Sequence, residues 1–183
     1  MPFRWPHRPA LDPVLRLEHR AALHELAANL TEAHTAARAA AEDREDPEAL
    51  LGLLCDRTIA ATTVLQTLPA PLLAATAELD RDLTRLLRRA ESARGRAGTG
   101  QAAPLLDGLL HTSAFLPAAG AAASGLADDF TGAVLRRADL ENLHLPGVRW
   151  DRTTRWPRHW RSRITASSRA RDDGTFEIQA AHH

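Results

Sequence analysis

The chain has 183 residues, enough for one domain or a domain with a small appendage, and a large multi-domain machine is excluded. Hydrophobic residues make up 44%, but 36 residues are alanine, so the core must be thin and Ala-rich, a composition suited to closely packed helices. All 23 basic residues are arginine, matched by 23 Asp and Glu, so total charge names no partner; the Arg and Ala bias fits a high-GC bacterial genome.

In chain order, Met1 to Ala10 reads as an N-terminal arm, basic and carrying three prolines rather than the apolar segment of a signal peptide. Asp12-Pro13 opens a helix, because Asp caps free N–H groups and Pro loses nothing at the first helical position. Leu23, Leu26, Leu30, Ala33, Ala37 and Ala40 then form a heptad-like seam on one long helix to about Ala41. Asp43 to Asp46 is a charged break, and Pro47-Glu48 opens a second helix bearing Leu50, Leu51, Leu53, Leu54, Ile59, Ala61, Val64 and Leu65. Its apolar residues lie on more than one side, which predicts the most buried helix.

Thr67 to Pro71 is a short connection, after which Leu72, Ala75, Leu79, Leu83, Leu86 and Ala90 mark a third amphipathic helix with a charged outer face. Gly95 to Ala103 is a flexible linker by composition. Pro104 opens a short apolar helix through Leu110, and the alanine-rich Leu116 to Leu126 supplies the fourth member of an up-and-down antiparallel bundle spanning 11–127.

Beyond Ala127 the period changes. Phe130, Leu135, Leu140, Leu145 and Trp150 recur every five residues, a spacing that neither a helix nor a strand generates. Large centres with a small or apolar residue two places earlier describe the sides of a square right-handed β-helix, packed by internal stacking. Ala138-Asp139-Leu140-Glu141-Asn142 matches the A(D/N)LXX consensus, and the segment resembles the pentapeptide-repeat family. Leu145-Pro146-Gly147-Val148-Arg149-Trp150-Asp151, Thr154-Arg155-Trp156-Pro157, Ile164, Ser168 and Phe176-Glu177-Ile178 are similar to a tail that closes such segments in bacterial regulatory and conflict-associated proteins. The resemblance covers about 128–178. It implies little more than one square turn, which must lean on the helices to bury its centres. The expected fold is therefore mainly α: an antiparallel helical bundle, a short pentapeptide-like right-handed β-helical turn and a basic C-terminal tail, the last two within 128–183.

Charge is unevenly placed. Residues 131–171 hold ten Arg against three acids, whereas residues 1–130 carry a balance of −4. Arg149, Arg152, Arg155, Arg158, Arg161 and Arg163, with Trp156 and Trp160, are the candidate binding residues: arginines could hold phosphates while tryptophans stack bases. The competing expectation is that Trp150, Trp156 and Trp160 pack as a cap and the arginines pair with the acidic face of the bundle.

Other constellations carry less. His19 and His24 are five apart, the wrong spacing for a helical two-His site, and Glu18, Glu25 and Glu32 lack the accompanying Glu-x-x-His. Cys55 excludes an internal disulfide and lies in an apolar run, where a buried thiol is expected; one free cysteine suits a reducing cytoplasm. His182 and His183 carry no weight. No nucleophile elbow, P-loop or dinucleotide fingerprint is present, and a chain without lysine has no lysine chemistry. No run approaches a membrane span.

The expectation is a non-catalytic protein–protein interaction or adaptor module, cytoplasmic, without cofactor, metal or membrane, of the regulatory or conflict type that the resemblance implies. Nucleic-acid binding through the Arg/Trp-rich segment is the alternative. The seam of the first helix also suggests self-association, and a small-molecule pocket inside the bundle would lack a polar constellation to orient its ligand.

Overall fold

A computed structural model describes residues 11–42, 47–96 and 102–180. The expected arm 1–10, the charged break 43–46, the middle of the expected linker at 97–101 and the terminal histidines lie outside them. The protein is mainly helical with a small antiparallel sheet: α1 (Pro13–Glu18), α2 (Arg20–Glu42), α3 (Pro47–Thr67), α4 (Ala70–Arg94), α5 (Ala102–Ser113), α6 (Leu116–Asp128), β1 (Arg149–Trp150), α7 (Arg161–Ala166), β2 (Ser168–Ala170) and β3 (Phe176–Ile178).

The Asp12 carboxylate accepts from the Val14 N–H at 2.9 Å, with Pro13 in the first turn, as the opening residues require. The expected single long helix is interrupted at His19 (φ −102°, ψ 18°). Its Nδ1 lies 3.0 Å from the Leu15 carbonyl, which its own N–H also engages, so two groups share one acceptor where the ladder breaks. The seam itself is in place: Leu23, Leu26, Leu30, Ala33, Ala37 and Ala40 are all buried.

α2 contacts α3, α5 and α6, which makes it the central helix. The expectation that α3 is most buried is corrected: Leu53 and Ile59 are 42% and 48% exposed, because α3 packs on α2 and α4 and leaves its outer side open. Small residues set the approach of α6 to α2. A Cβ on Gly120 would come within 3.3 Å of Thr31 Oγ1, which would have to give by a few tenths of an ångström, and would meet the Ala27 carbonyl at an ordinary 3.5 Å.

Two hydrophobic cores result. The helical one is built from leucine and alanine of α2 to α6, with Leu11. The second gathers Phe130, Leu135, Leu140, Leu145, Val148, Trp150, Trp156, Ile164 and Ile178, with Leu17 contributed by α1. Burying each large centre stabilises by about 1.5–3 kcal/mol.

The five-residue spacing has a backbone counterpart. Turn hydrogen bonds run from Ala133 to Phe130, Ala138 to Leu135, Leu143 to Leu140 and Val148 to Leu145, each N–H donating to the carbonyl three residues back. The next such bond, Thr154 to Asp151, comes six residues on. Parallel bridges join Asp129 to Arg149 and Val134 to Arg155. The extra residue carries Trp156, only 2% exposed, into the place a sixth centre would take.

Where a basic tail was expected, the chain instead forms α7 and a three-stranded antiparallel sheet in the order β1-β3-β2, with Arg149 opposite Glu177 and Ser168 opposite Ile178. Pro146 removes one donor from this stretch, and the following Gly147 N–H bonds the Ile178 carbonyl of β3 at 2.7 Å. Among the described residues no helix is long and apolar enough to cross a membrane.

Candidate functional site: an arginine face on the C-terminal core

The second core holds its shape through a dense set of short-range polar contacts. Trp150 stacks on Phe176 with centroids 4.7 Å apart, meets Trp156 edge-on at 6.2 Å, and donates from Nε1 to Ser168 Oγ at 2.9 Å. Asp151 ties successive passes of the chain together. Its Oδ1 accepts from the N–H groups of Gly132, Thr153 and Thr154, while Thr154 Oγ1 donates to the Phe130 carbonyl at 3.0 Å. Partial burial pushes the Asp151 carboxyl up, but bonds from Gly132, Thr153 and Thr154 outweigh it and hold the group at about 2.

Two arginines that sequence reasoning passed over fasten this core to the helices. Arg20 donates from Nε to the Ala127 carbonyl at 3.1 Å, from Nη1 to the His144 carbonyl at 2.8 Å, and pairs with Asp128 through Nη2 at 2.6 Å. Arg16 donates to the carbonyls of Leu126 and Asp129, and its guanidinium lies 4.6 Å from the Phe130 ring centre. Both are under 8% exposed. Cations placed at the last carbonyls of α6 also complement that helix's negative end. No local spacing announces these contacts, which span more than a hundred residues.

The candidate binding residues divide by position. Arg149 is half-buried on β1, and Arg152, Arg155, Arg158, Arg161 and Arg163 are exposed. Trp156 is corrected from a binding residue to a core residue, since its ring is enclosed in the second core. Trp160 is half-buried, and the Arg163 guanidinium occupies one side of its ring at 4.7 Å. Tryptophan packing matches the cap expectation, but the arginine half of that expectation fails. Among the described residues none of these arginines forms an ion pair; the helical acids that do pair meet helical arginines, Glu32 with Arg57, Glu42 with Arg38, Asp82 with Arg85 and Asp128 with Arg20.

Arg136 and Arg137, left out of the sequence-based set, are also exposed and without an ion pair among the described residues. They occupy the turn that follows Val134, whose parallel partner is Arg155, and Arg158 follows three residues beyond that partner. Paired stretches lie about 4.8 Å apart, so the exposed Val134 and Arg155 stand side by side, with Arg136 and Arg137 following directly after Val134.

The remaining candidates are otherwise occupied. Cys55 is 5% exposed; burial and then the nearby Glu91 charge push its thiol up, against the pull of Arg94. His24 Nε2 lies 3.0 Å from Asp128. Among the described residues no cluster of three His, Cys, Asp or Glu could hold a metal ion. A polar recess of about 400 Å³ lies between Arg169, Arg171, Asp172, Asp173 and Glu177, where Arg171 pairs with Glu177. No family model matches this sequence, and no curated protein or solved structure is significantly similar to it.

Proposed function

We propose that this chain is a non-catalytic interaction module that docks on a negatively charged partner through the arginine face of its C-terminal core. The observation that carries the reading is that Arg152, Arg155, Arg158, Arg161 and Arg163 are exposed, with no ion pair among the described residues, on a tightly hydrogen-bonded scaffold. Arginines held close together without acids repel one another in the free protein, and a partner's anions relieve that repulsion.

The architecture we infer behind this role is an antiparallel bundle of α2 to α6 that serves as a platform. Residues 128–157 make about one and a half windings of a right-handed square coil, with one extra residue between Trp150 and Trp156. The recurring turn bonds, the buried centres and the parallel bridges after 20 and 21 residues support that reading, and with it the resemblance to pentapeptide-repeat proteins. So short a coil cannot bury both of its ends, which accounts for the contact with α1 and for the antiparallel sheet.

Chromatography on immobilised heparin tests the reading. The wild-type protein is expected to be retained and to elute late in a salt gradient, whereas R155E/R158E, with an unchanged melting midpoint, elutes early. Wild-type protein in the flow-through at low salt would contradict it.

A further inference from the structure

We infer that Arg136, Arg137, Arg155 and Arg158 form a single site for the phosphate backbone of double-stranded nucleic acid, an inference that rests on the docking reading above and names its partner class. Four features point there. First, the parallel pairing of Val134 with Arg155 brings two stretches distant in sequence onto one surface, so the cation cluster exists only in the folded chain. Second, no nearby acid forms an ion pair with it: Asp151 accepts from Gly132, Thr153 and Thr154, and Asp139 from the Glu141 N–H on the next side. Among the described residues none of the four arginines pairs with Asp139, Glu141 or any other acid.

Third, the surface supplies only part of what a protein partner rewards. Interface hot spots are enriched in Trp, Tyr and Arg and cluster in desolvated pockets, and the arginines here have no exposed aromatic anchor among them. Here Trp150 and Trp156 are buried, and the large apolar side chain exposed beside the cluster is Val134, at 61%. Fourth, single-stranded binding needs aromatic platforms for bases. Trp160 is half-buried with one side covered by Arg163, so it offers no open face pair for stacking. Guanidinium groups alone, fixed on a turn and an adjacent pass, suit phosphate oxygens, which they bind without reading sequence.

The test is fluorescence anisotropy with a labelled DNA duplex of about two helical turns, an oligo-dT of equal length and poly-L-glutamate, each against the full chain. Four phosphate contacts predict that duplex affinity falls roughly a hundredfold between about 50 and about 200 mM salt, equally for unrelated duplex sequences. In R136A/R137A the same salt step costs only about tenfold, since two contacts are gone. R136Q/R137Q replaces that variant should its melting midpoint shift.

Tighter binding to oligo-dT than to duplex, or an unaltered salt dependence in both Arg136/Arg137 variants, would overturn the site as drawn. Binding to poly-L-glutamate without binding to duplex would overturn the nucleic-acid assignment while leaving the docking reading intact. No binding to any of the three at low salt would overturn both.

Discussion

Arginine meets a carboxylate more often in the helical part than in the C-terminal core, although among the described residues Arg81, Arg88 and Arg94 on the helices form no ion pair and Arg171 pairs with Glu177. In the helices, Arg38, Arg57 and Arg85 each face a carboxylate, and Arg20 is buried against Asp128 and two carbonyls. In the C-terminal third, Arg136, Arg137, Arg152, Arg155 and Arg158 stand exposed with no carboxylate partner among the described residues. The cores differ in parallel. Leucine and alanine close a thin helical interior, while Phe130, Trp150 and Trp156 join leucine, valine and isoleucine in the smaller C-terminal one. A charge that secures the fold is paired and buried; a charge left over on a stiff surface is available to something else.

Cutting into either core gives the largest expected effects. Phe130→Ala removes a fully buried ring and the group beneath the Arg16 guanidinium, and is expected to cost about 3–5 kcal/mol. Leu30→Ala, fully buried in the helical core, is expected to cost about 2–5 kcal/mol. Because Arg16 and Arg20 join the cores, both variants should lower one shared thermal transition; two separate transitions in calorimetry would break the comparison into independent units.

Arg20→Ala sharpens it. The change strands the buried Ala127 carbonyl and leaves Asp128 without its guanidinium, and about 2–4 kcal/mol is expected in denaturant melts, with little recovery in Arg20→Lys. Gly147→Ala acts on the same junction by geometry. Gly147 has φ +85° and a Cβ there would lie 2.9 Å from Arg20 Nη2, so a loss of about 1–3 kcal/mol is expected.

Asp151 offers a pH-dependent version. Its folded-state carboxyl lies at about 2, below the ordinary 3.8, so its contribution is complete above about pH 4 and fades as pH falls through 2. Asp151→Asn should therefore melt below wild type at about pH 6, with the gap closing towards about pH 2. The smallest effect belongs to an exposed helical pair: Arg38→Ala, which loses only its bond to Glu42, should change stability by about 0.5 kcal/mol or less.

How much of this was legible depends on range. The seam from Leu23 to Ala40 and the capping Asp12 are local patterns, and the helices stand where those patterns put them. The centres from Phe130 to Trp150 were likewise readable at their five-residue spacing, and each is buried. Trp156 was misassigned because one extra residue breaks that spacing, and an arginine-rich neighbourhood made a core ring resemble a binding platform. Arg16 and Arg20 could not be recognised in advance: their partners, from Leu126 to His144, are brought to them only by the folding of α2 against α6. Arg136 and Arg137 were readable as residues but not as neighbours of Arg155, since that adjacency depends on the parallel pairing of two passes.

The contrast between paired and surplus arginines is tested most directly by the thermal midpoint of R136A/R137A/R155A/R158A beside wild type at low salt. Four side chains that serve only a partner should be removable at no cost to the fold, and relief of their mutual repulsion should leave the midpoint equal or slightly raised. A fall of more than about 4 °C, roughly 1 kcal/mol or more for a chain of this size, would show that these arginines hold the structure together and would contradict the account.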